Sequence, residues 1–221
     1  SARAATENAD LVVGLPTGDR FEGGYYNSLM KLDGERAKYD KRHLVPFGEY
    51  FPLKFLYEGL AAALSIPMSD FSRGRADQHS LSVAGHLAGI SICYEDVFGN
   101  EVIDALPAAG FLINISNDAW FGDTIAPHQH LEIARMRALE TGRYLLRGTN
   151  TGVTAIIDAK GKILAKAEQF AETVLVGSFE LREGATPYVR FGDFPVLLLS
   201  AAFSLFGFMR RGRAQRVAQA R

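Results

Sequence analysis

Cys93 is the single cysteine of this chain, and it closes the apolar run Gly89, Ile90, Ser91, Ile92, with Tyr94, Glu95 and Asp96 directly after it. A side chain at the end of a buried strand is held rigidly yet faces the surface, which is what a nucleophile requires. Without context a lone cysteine is also a small buried hydrophobe. Its neighbours in the sequence point to chemistry instead. Upstream lies Lys41-Arg42-His43-Leu44-Val45-Pro46-Phe47-Gly48-Glu49-Tyr50-Phe51-Pro52, which carries a lysine and a glutamate on either side of a Pro/Gly-punctuated turn. Downstream lies Asn114-Ile115-Ser116-Asn117-Asp118-Ala119-Trp120-Phe121-Gly122. A thiol that attacks an ester carbonyl must be a thiolate, and a free cysteine, with a pKa near ~8.5, is mostly protonated at neutral pH. Such a cysteine needs a base and a neighbouring cation.

Together the three segments resemble the nitrilase superfamily, whose members use a Glu-Lys-Cys triad. Within it they are most similar to the apolipoprotein N-acyltransferases, bacterial inner-membrane enzymes that attach the third acyl chain to lipoproteins. The resemblance keeps its order and spacing from Gly24 to Met209, through Phe71-Ser72-Arg73-Gly74, Pro127-His128-Gln129-His130 and Arg135-Met136-Arg137-Ala138-Leu139-Glu140. It implies that Cys93 takes an acyl chain from a phospholipid as a thioester. Lys41 would be the triad lysine, stabilising thiolate and oxyanion, with the backbone N–H of Tyr94 as a second oxyanion donor. Glu49 and Glu95 both fall at glutamate positions beside the triad, where either orients Lys41 or the attacking amine, or forms a structural salt bridge. Asn117, Asp118 and Trp120 are expected to form a turn lining the pocket, the indole covering an acyl channel or lying in the core.

The implied partners are a phospholipid acyl donor, the diacylglyceryl-cysteine N-terminus of an apolipoprotein, and the membrane. No cofactor is implied. His43, His128 and His130 match no metal-ligand spacing, so no metal is expected. A net charge of -1 argues against a nucleic-acid partner. One cysteine cannot form an internal disulfide and leaves the redox compartment open. Glu132, Arg135, Arg137 and Glu140 read as a solvated helical face with local ion pairs.

A chain of 221 residues suits one large domain with an appendage. Residues 11–14 and 25–32 read as strands, the second ending at the Asp33-Gly34 turn. Residues 89–93 and 111–115 have the apolar character of strands covered on both faces. A short helix is predicted over 101–106, and a longer one from Pro127 to Thr141 with Gly142 at its end. Residues 153–158 and 162–167 flank a glycine turn and predict a hairpin. Residues 173–179 predict a further strand. This order is that of an α/β protein, and the resemblance implies a nitrilase-like four-layer α-β-β-α sandwich, incomplete at its N-terminus.

The C-terminus differs in character. Residues 194–209 carry no charge, and Arg210, Arg211, Arg213 and Arg216 follow. Sixteen residues of helix reach about 24 Å, short of the roughly 30 Å hydrocarbon core. The run is therefore either a buried or interfacial helix or a marginal span, and the arginines favour a span with a cytoplasmic C-terminus. On this reading residues 1–190 form a nitrilase-like catalytic domain on the periplasmic side of the bacterial inner membrane, and residues 191–221 the last transmembrane helix and a basic tail.

One element of the resemblance is missing. The family's base glutamate follows a first strand, and nothing comparable precedes Ala9-Asp10-Leu11; Glu7 lies in a polar stretch and Glu22 in a glycine-rich turn. No signal peptide opens the chain, and it reads as the C-terminal part of a longer acyltransferase. Two other functions stay open: a soluble carbon-nitrogen hydrolase in which water resolves the thioester, and a non-catalytic fragment. The apolar terminal helix and the Phe/Leu-rich stretch over residues 50–64 favour the acyltransferase, because a soluble hydrolase needs neither.

Overall fold

Side chains that alternate between two apolar environments set the architecture. In the computed structural model, which describes residues 9–18, 24–32, 37–50, 52 and 71–219, the strands form two sheets. Strands β1 (Val12–Gly18), β2 (Tyr25–Lys31) and β3 (Lys38–Asp40) make an antiparallel sheet in that order. The second sheet runs β4 (Ser80–Val83), β5 (His86–Ile92), β6 (Phe111–Ser116), β7 (Leu145–Thr149), β8 (Ala155–Ile157), β9 (Ile163–Lys166). Its centre, β5 to β7, is parallel, and antiparallel partners flank it on both sides. Strands covered on both faces are the ordinary form of a parallel sheet centre.

Successive residues of the central strands point to opposite faces. Ala88, Ile90, Ile92 and Phe111 meet Leu29 and Tyr39 of the smaller sheet, forming the core between the two sheets. Leu112, Leu145, Ala155 and Ile157 point the other way, onto Leu131, Ala134 and Ala138 of helix α2 (Ala126–Thr141). Each large aliphatic side chain buried in this way contributes about 1.5–3 kcal/mol. The described residues thus supply an α-β-β order of layers, a nitrilase-like α/β arrangement.

Local chemistry explains most element boundaries. Pro127 sits in the first turn of α2, and Gly142, at φ 64°, ends it in the left-handed conformation that glycine adopts without strain. The hairpin of β8 and β9 turns on Asp158, whose Oδ1 accepts the amides of Lys160 and Lys162 at 2.8 and 2.9 Å. Helix α1 (Gly99–Val102) begins earlier than the sequence suggests, because the Phe98 carbonyl accepts the amides of Glu101 and Val102. It tightens into a 3-10 turn over Ile103–Ala105 and stops at extended Leu106, since a residue before proline avoids the helical region.

The strand expected over residues 173–179 does not form. Among the described residues it has no ladder partner, and Val174 and Val176 remain 86% and 83% exposed. The segment is tied down at its far end, where Phe179 packs on Phe111 and the Arg182 amide donates to the Gly110 carbonyl. Buried Arg143 adds a further tie by donating to the carbonyls of Ala109, Pro107 and Gly184.

Helix α3 (Pro187–Phe191) leads into α4 (Phe194–Gln219). At 26 residues α4 is longer than its apolar run, because the helix continues through the arginines. Its length of about 39 Å exceeds a hydrocarbon core. The window Phe194–Arg211 has mean hydropathy 1.3 and none of it is buried against the rest of the chain. Against the described residues, then, α4 is not a core helix. The apolar stretch over residues 50–64 lies almost wholly outside the described residues, as do Glu7, Glu22, the Asp33-Gly34 turn and the side chains of Arg213 and Arg216.

Leu145 is 1% exposed at the centre of the helix-facing core. Leu145→Ala is expected to cost about 2–5 kcal/mol, read as a lower urea midpoint with an unchanged slope.

Candidate functional site

Strand β5 ends at Ile92, and the chain passes at once into a 3-10 turn, Cys93–Val97. Cys93 takes φ 52°, a left-handed backbone conformation that a non-glycine residue holds only when its surroundings impose it. Much of that imposition comes from Glu95, which is 3% exposed. Its Oε2 accepts the Ile92 amide at 2.8 Å and the Tyr39 hydroxyl at 3.0 Å. Its Oε1 accepts the amides of Arg42 at 2.6 Å and His43 at 3.0 Å. Burial pushes the Glu95 carboxyl above its usual range, against the pull of these four donors. Burial, and then the charge of Glu95, raise the Tyr39 hydroxyl well above its ordinary value.

The same carboxylate therefore joins the turn that carries Cys93 to the two residues after Lys41. Lys41 follows β3 and is 1% exposed. Its Nζ lies 2.9 and 2.8 Å from the two carboxylate oxygens of Glu49. Glu49 also accepts from the side chain of Asn27 and, at 2.8 Å, from the amide of Val45. The Lys41 backbone is held on both sides, its amide donating to Asn27 and its carbonyl accepting from Gly74, each at 2.8 Å. A side chain at position 74 would collide with the Asp40 carbonyl, so glycine alone lets the Phe71-Ser72-Arg73-Gly74 segment approach this closely. A buried ammonium paired to a carboxylate is not a surface lysine, and it lies on the chain segment clamped to the thiol-bearing turn.

The two glutamates thus have separate places. Glu49 holds the Lys41 ammonium, and Glu95 holds backbone amides. Tyr94 packs edge-on to His43 and Phe98, whose rings stack at 3.6 Å, and His43 Nδ1 lies 2.8 Å from Glu101.

On the helix side of the sheet lies a buried polar cluster that sequence reading missed. Ser91, Asn114 and Arg147 are register partners on β5, β6 and β7. Asn114 donates to Ser91 at 2.9 Å and accepts from Arg147. Arg147 also reaches Asp96 at 3.4 Å and Asp118 at 3.1 Å. His130, on the second turn of α2, closes the cluster. Its Nδ1 is 3.0 Å from Asp118, and its Nε2 is 3.0 Å from Asp96 and 3.2 Å from the Cys93 carbonyl. Burial disfavours the charged imidazole, but the bonds to Asp118 and Asp96 outweigh it and hold the His130 pKa up at about 10. Burial likewise works to raise Asp118, yet His130 and Ser116 keep it below the ordinary carboxylate range.

The turn expected downstream is present. Asn117 caps a 3-10 turn, Asp118–Phe121, by accepting the Ala119 amide at 3.2 Å. Asp118 is 1% exposed and faces His130 and Arg147, whereas Trp120 is 84% exposed and is not core. On α2, Glu132 and Arg135 form the exposed ion pair expected, while the Arg137–Glu140 pair is largely covered. No group of side chains suited to a metal ion occurs among the described residues.

A folded-state pKa of about 10 for His130, above the usual 6.5, sets a pH dependence. The stabilisation from the charged imidazole is complete below pH 6.5 and is lost as pH rises through about 10. Urea unfolding is expected to show stability falling over that window, and His130→Gln is expected to flatten the fall.

The chain matches the carbon-nitrogen hydrolase family model over residues 2–186. It is 49% identical to the apolipoprotein N-acyltransferase of Nitrosomonas europaea, over 93% of this chain and 40% of that protein. It is 48% identical to that of Methylococcus capsulatus, over 96% of this chain and 42% of the relative. The chain therefore spans about two fifths of the length of these curated relatives. Among solved structures it is similar to a carbon-nitrogen hydrolase from Helicobacter pylori, with TM-score 0.57 and 22% identity over 75% of this chain and 60% of that one. It is also similar to Saccharomyces cerevisiae Nit3 of the nitrilase superfamily, with TM-score 0.54 and 22% identity over 74% and 57% of the two chains. At that identity the likeness to the two structures concerns the fold.

Proposed function

Because the chain belongs to the carbon-nitrogen hydrolase family and is a homologue of the apolipoprotein N-acyltransferases, we propose that it serves phospholipid-to-apolipoprotein N-acyl transfer through a thioester on Cys93. The observation that carries this reading is the buried Lys41 ammonium, held by Glu49 and clamped through Glu95 to the turn bearing the thiol. In the first half-reaction the Cys93 thiolate adds to the ester carbonyl of a phospholipid. The ester C–O bond breaks, and the lysophospholipid alkoxide leaves with a proton. In the second, the α-amine of a lipoprotein's diacylglyceryl-cysteine adds to the thioester, the C–S bond breaks, and the amine's proton restores the thiol. Lys41 stabilises the thiolate and each oxyanion, with the Tyr94 amide as second donor. Asn117 and Trp120 border the lipid entrance, and the base is a glutamate in the part of the relatives beyond the region matched here.

The exposed helix α4 supports acyl transfer at a membrane over hydrolysis by water. In this reading it crosses the bacterial inner membrane with Arg210 and Arg211 on the cytoplasmic side and the catalytic domain in the periplasm. A cysteine introduced by Ala214→Cys in a Cys93→Ala background is expected to react with an impermeant maleimide in inverted vesicles and not in spheroplasts. The reverse pattern contradicts the orientation.

Mass spectrometry tests the chemistry. The 221-residue chain, and a chimera in which it replaces the corresponding part of the Nitrosomonas europaea relative, are incubated in micelles carrying phosphatidylethanolamine. On the chimera, which restores the base, a hydroxylamine-labile acyl adduct that is lost in Cys93→Ala is expected, and Lys41→Met is expected to slow its formation by about a hundredfold or more. No adduct on either protein contradicts acyl transfer.

A further inference from the structure

The Cys93 carbonyl is the point where the buried polar cluster touches the proposed nucleophile. Among the described residues the partners of the His130 ring are acceptors: Asp118 at Nδ1, and Asp96 with the Cys93 carbonyl at Nε2. Carboxylate and carbonyl oxygens accept, so both ring nitrogens carry hydrogen and the imidazole is charged, in line with its raised pKa of about 10. Arg147 supplies a second positive charge to the two aspartates, so the cluster is balanced overall. Asp96, Asp118 and Arg147 have side chains with 0% exposure, and His130 has 8%. An arrangement this buried has few ways to relax, and it fixes the direction of the Nε2–H bond.

In a trans peptide the carbonyl and the following N–H point in opposite directions within one plane. The Cys93 carbonyl and the Tyr94 amide belong to the same peptide unit. We infer that His130 is a positioning residue which, by holding the Cys93 carbonyl toward the helix layer, aims the Tyr94 N–H outward as the oxyanion donor. Asp96 and Asp118 hold the ring from either side, Arg147 holds both aspartates, and Asn114 ties Arg147 to Ser91 in the row across β5, β6 and β7. The bond to the carbonyl also helps to keep Cys93 at its positive φ. This inference rests on the acyl-transfer reading of Cys93 and adds to it the group that orients the oxyanion site.

Alanine at position 130 would strand two buried carboxylates, so the test compares two amides. In His130→Asn the amide replaces the Nδ1 side of the ring and no longer reaches the Cys93 carbonyl. In His130→Gln the amide nitrogen replaces Nε2 and still donates to it. Two rates are measured in whichever protein above forms the thioester: acylation of Cys93 from phosphatidylethanolamine micelles, and its alkylation by iodoacetamide. Alkylation forms no oxyanion, so it reports thiol access and ionisation alone. Loss of an aimed oxyanion donor is expected to slow acylation in His130→Asn by about a hundredfold, against less than about tenfold in His130→Gln, with alkylation within about threefold of the parent in both. Equal acylation by the two variants, or alkylation falling in step with acylation, overturns the inference. Absence of a thioester on both parent proteins contradicts the acyl-transfer reading instead, and the positioning role falls with it.

Discussion

One buried carboxylate holds the two ends of the site in register. Glu95 lies two residues after the thiol and accepts hydrogen bonds from Ile92, Arg42, His43 and Tyr39. Ile92 ends a strand of the larger sheet, Tyr39 lies on β3 of the smaller one, and Arg42 and His43 follow Lys41. The sheets already meet through an apolar core, but such packing is non-directional. The Glu95 bonds have direction, and they fix where the lysine-bearing turn stops relative to the cysteine-bearing turn. Burying a carboxylate is costly unless its oxygens are fully satisfied, and four donors meet that condition.

A second consequence follows from strand periodicity. At the C-terminal ends of the parallel strands, the positions facing α2 change from apolar to polar: Leu112 is succeeded two residues later by Asn114, and Leu145 by Arg147. Each is a step of two along its strand, so each stays on the same face. The helix-side core is therefore apolar in the middle of the sheet and ionic at the end where the thiol sits. His130 completes the ionic end because the start of α2 stands over it. Crevices at the carboxyl ends of parallel strands are where open α/β sheets place their ligands. Here that end is filled by a rigid set of charges beneath the turn.

The parallel centre, helix α2 with its glycine stop, the β8–β9 hairpin and the outlines of β1 and β2 were legible in the sequence, because each is signalled by local residues. Cys93, Lys41 and Glu49 were singled out by the resemblance, and of these the structure pairs Lys41 with Glu49. The division of labour between Glu49 and Glu95 was not, since both precede or follow apolar segments and their partners are backbone amides distant in sequence. The cluster of Ser91, Asp96, Asn114, His130 and Arg147 left a fainter signal. Asn114 and Arg147 interrupt apolar strands at positions that alternation assigns to the covered face, and a charged residue there demands partners. The strand expected over residues 173–179 failed for the opposite reason: its residue types favour strand, but pairing is non-local and among the described residues nothing pairs with it. For α4, counting uncharged residues gave a marginal span, whereas the helix itself continues through the arginines.

The central proposal is that Glu95 acts through Lys41, by tying the segment that follows it to the turn bearing Cys93. A double-mutant cycle on the rate of Cys93 acylation addresses it directly, using Glu95→Gln, Lys41→Met and the pair together. Gln turns a donor toward groups that are themselves donors, so the clamp opens while the side-chain volume stays nearly the same. If the clamp works by positioning the lysine, Glu95→Gln slows the parent but changes the Lys41→Met protein by less than about threefold, because residues acting as a unit are not additive. If the two losses multiply in full, Glu95 acts independently of Lys41 and the account is wrong.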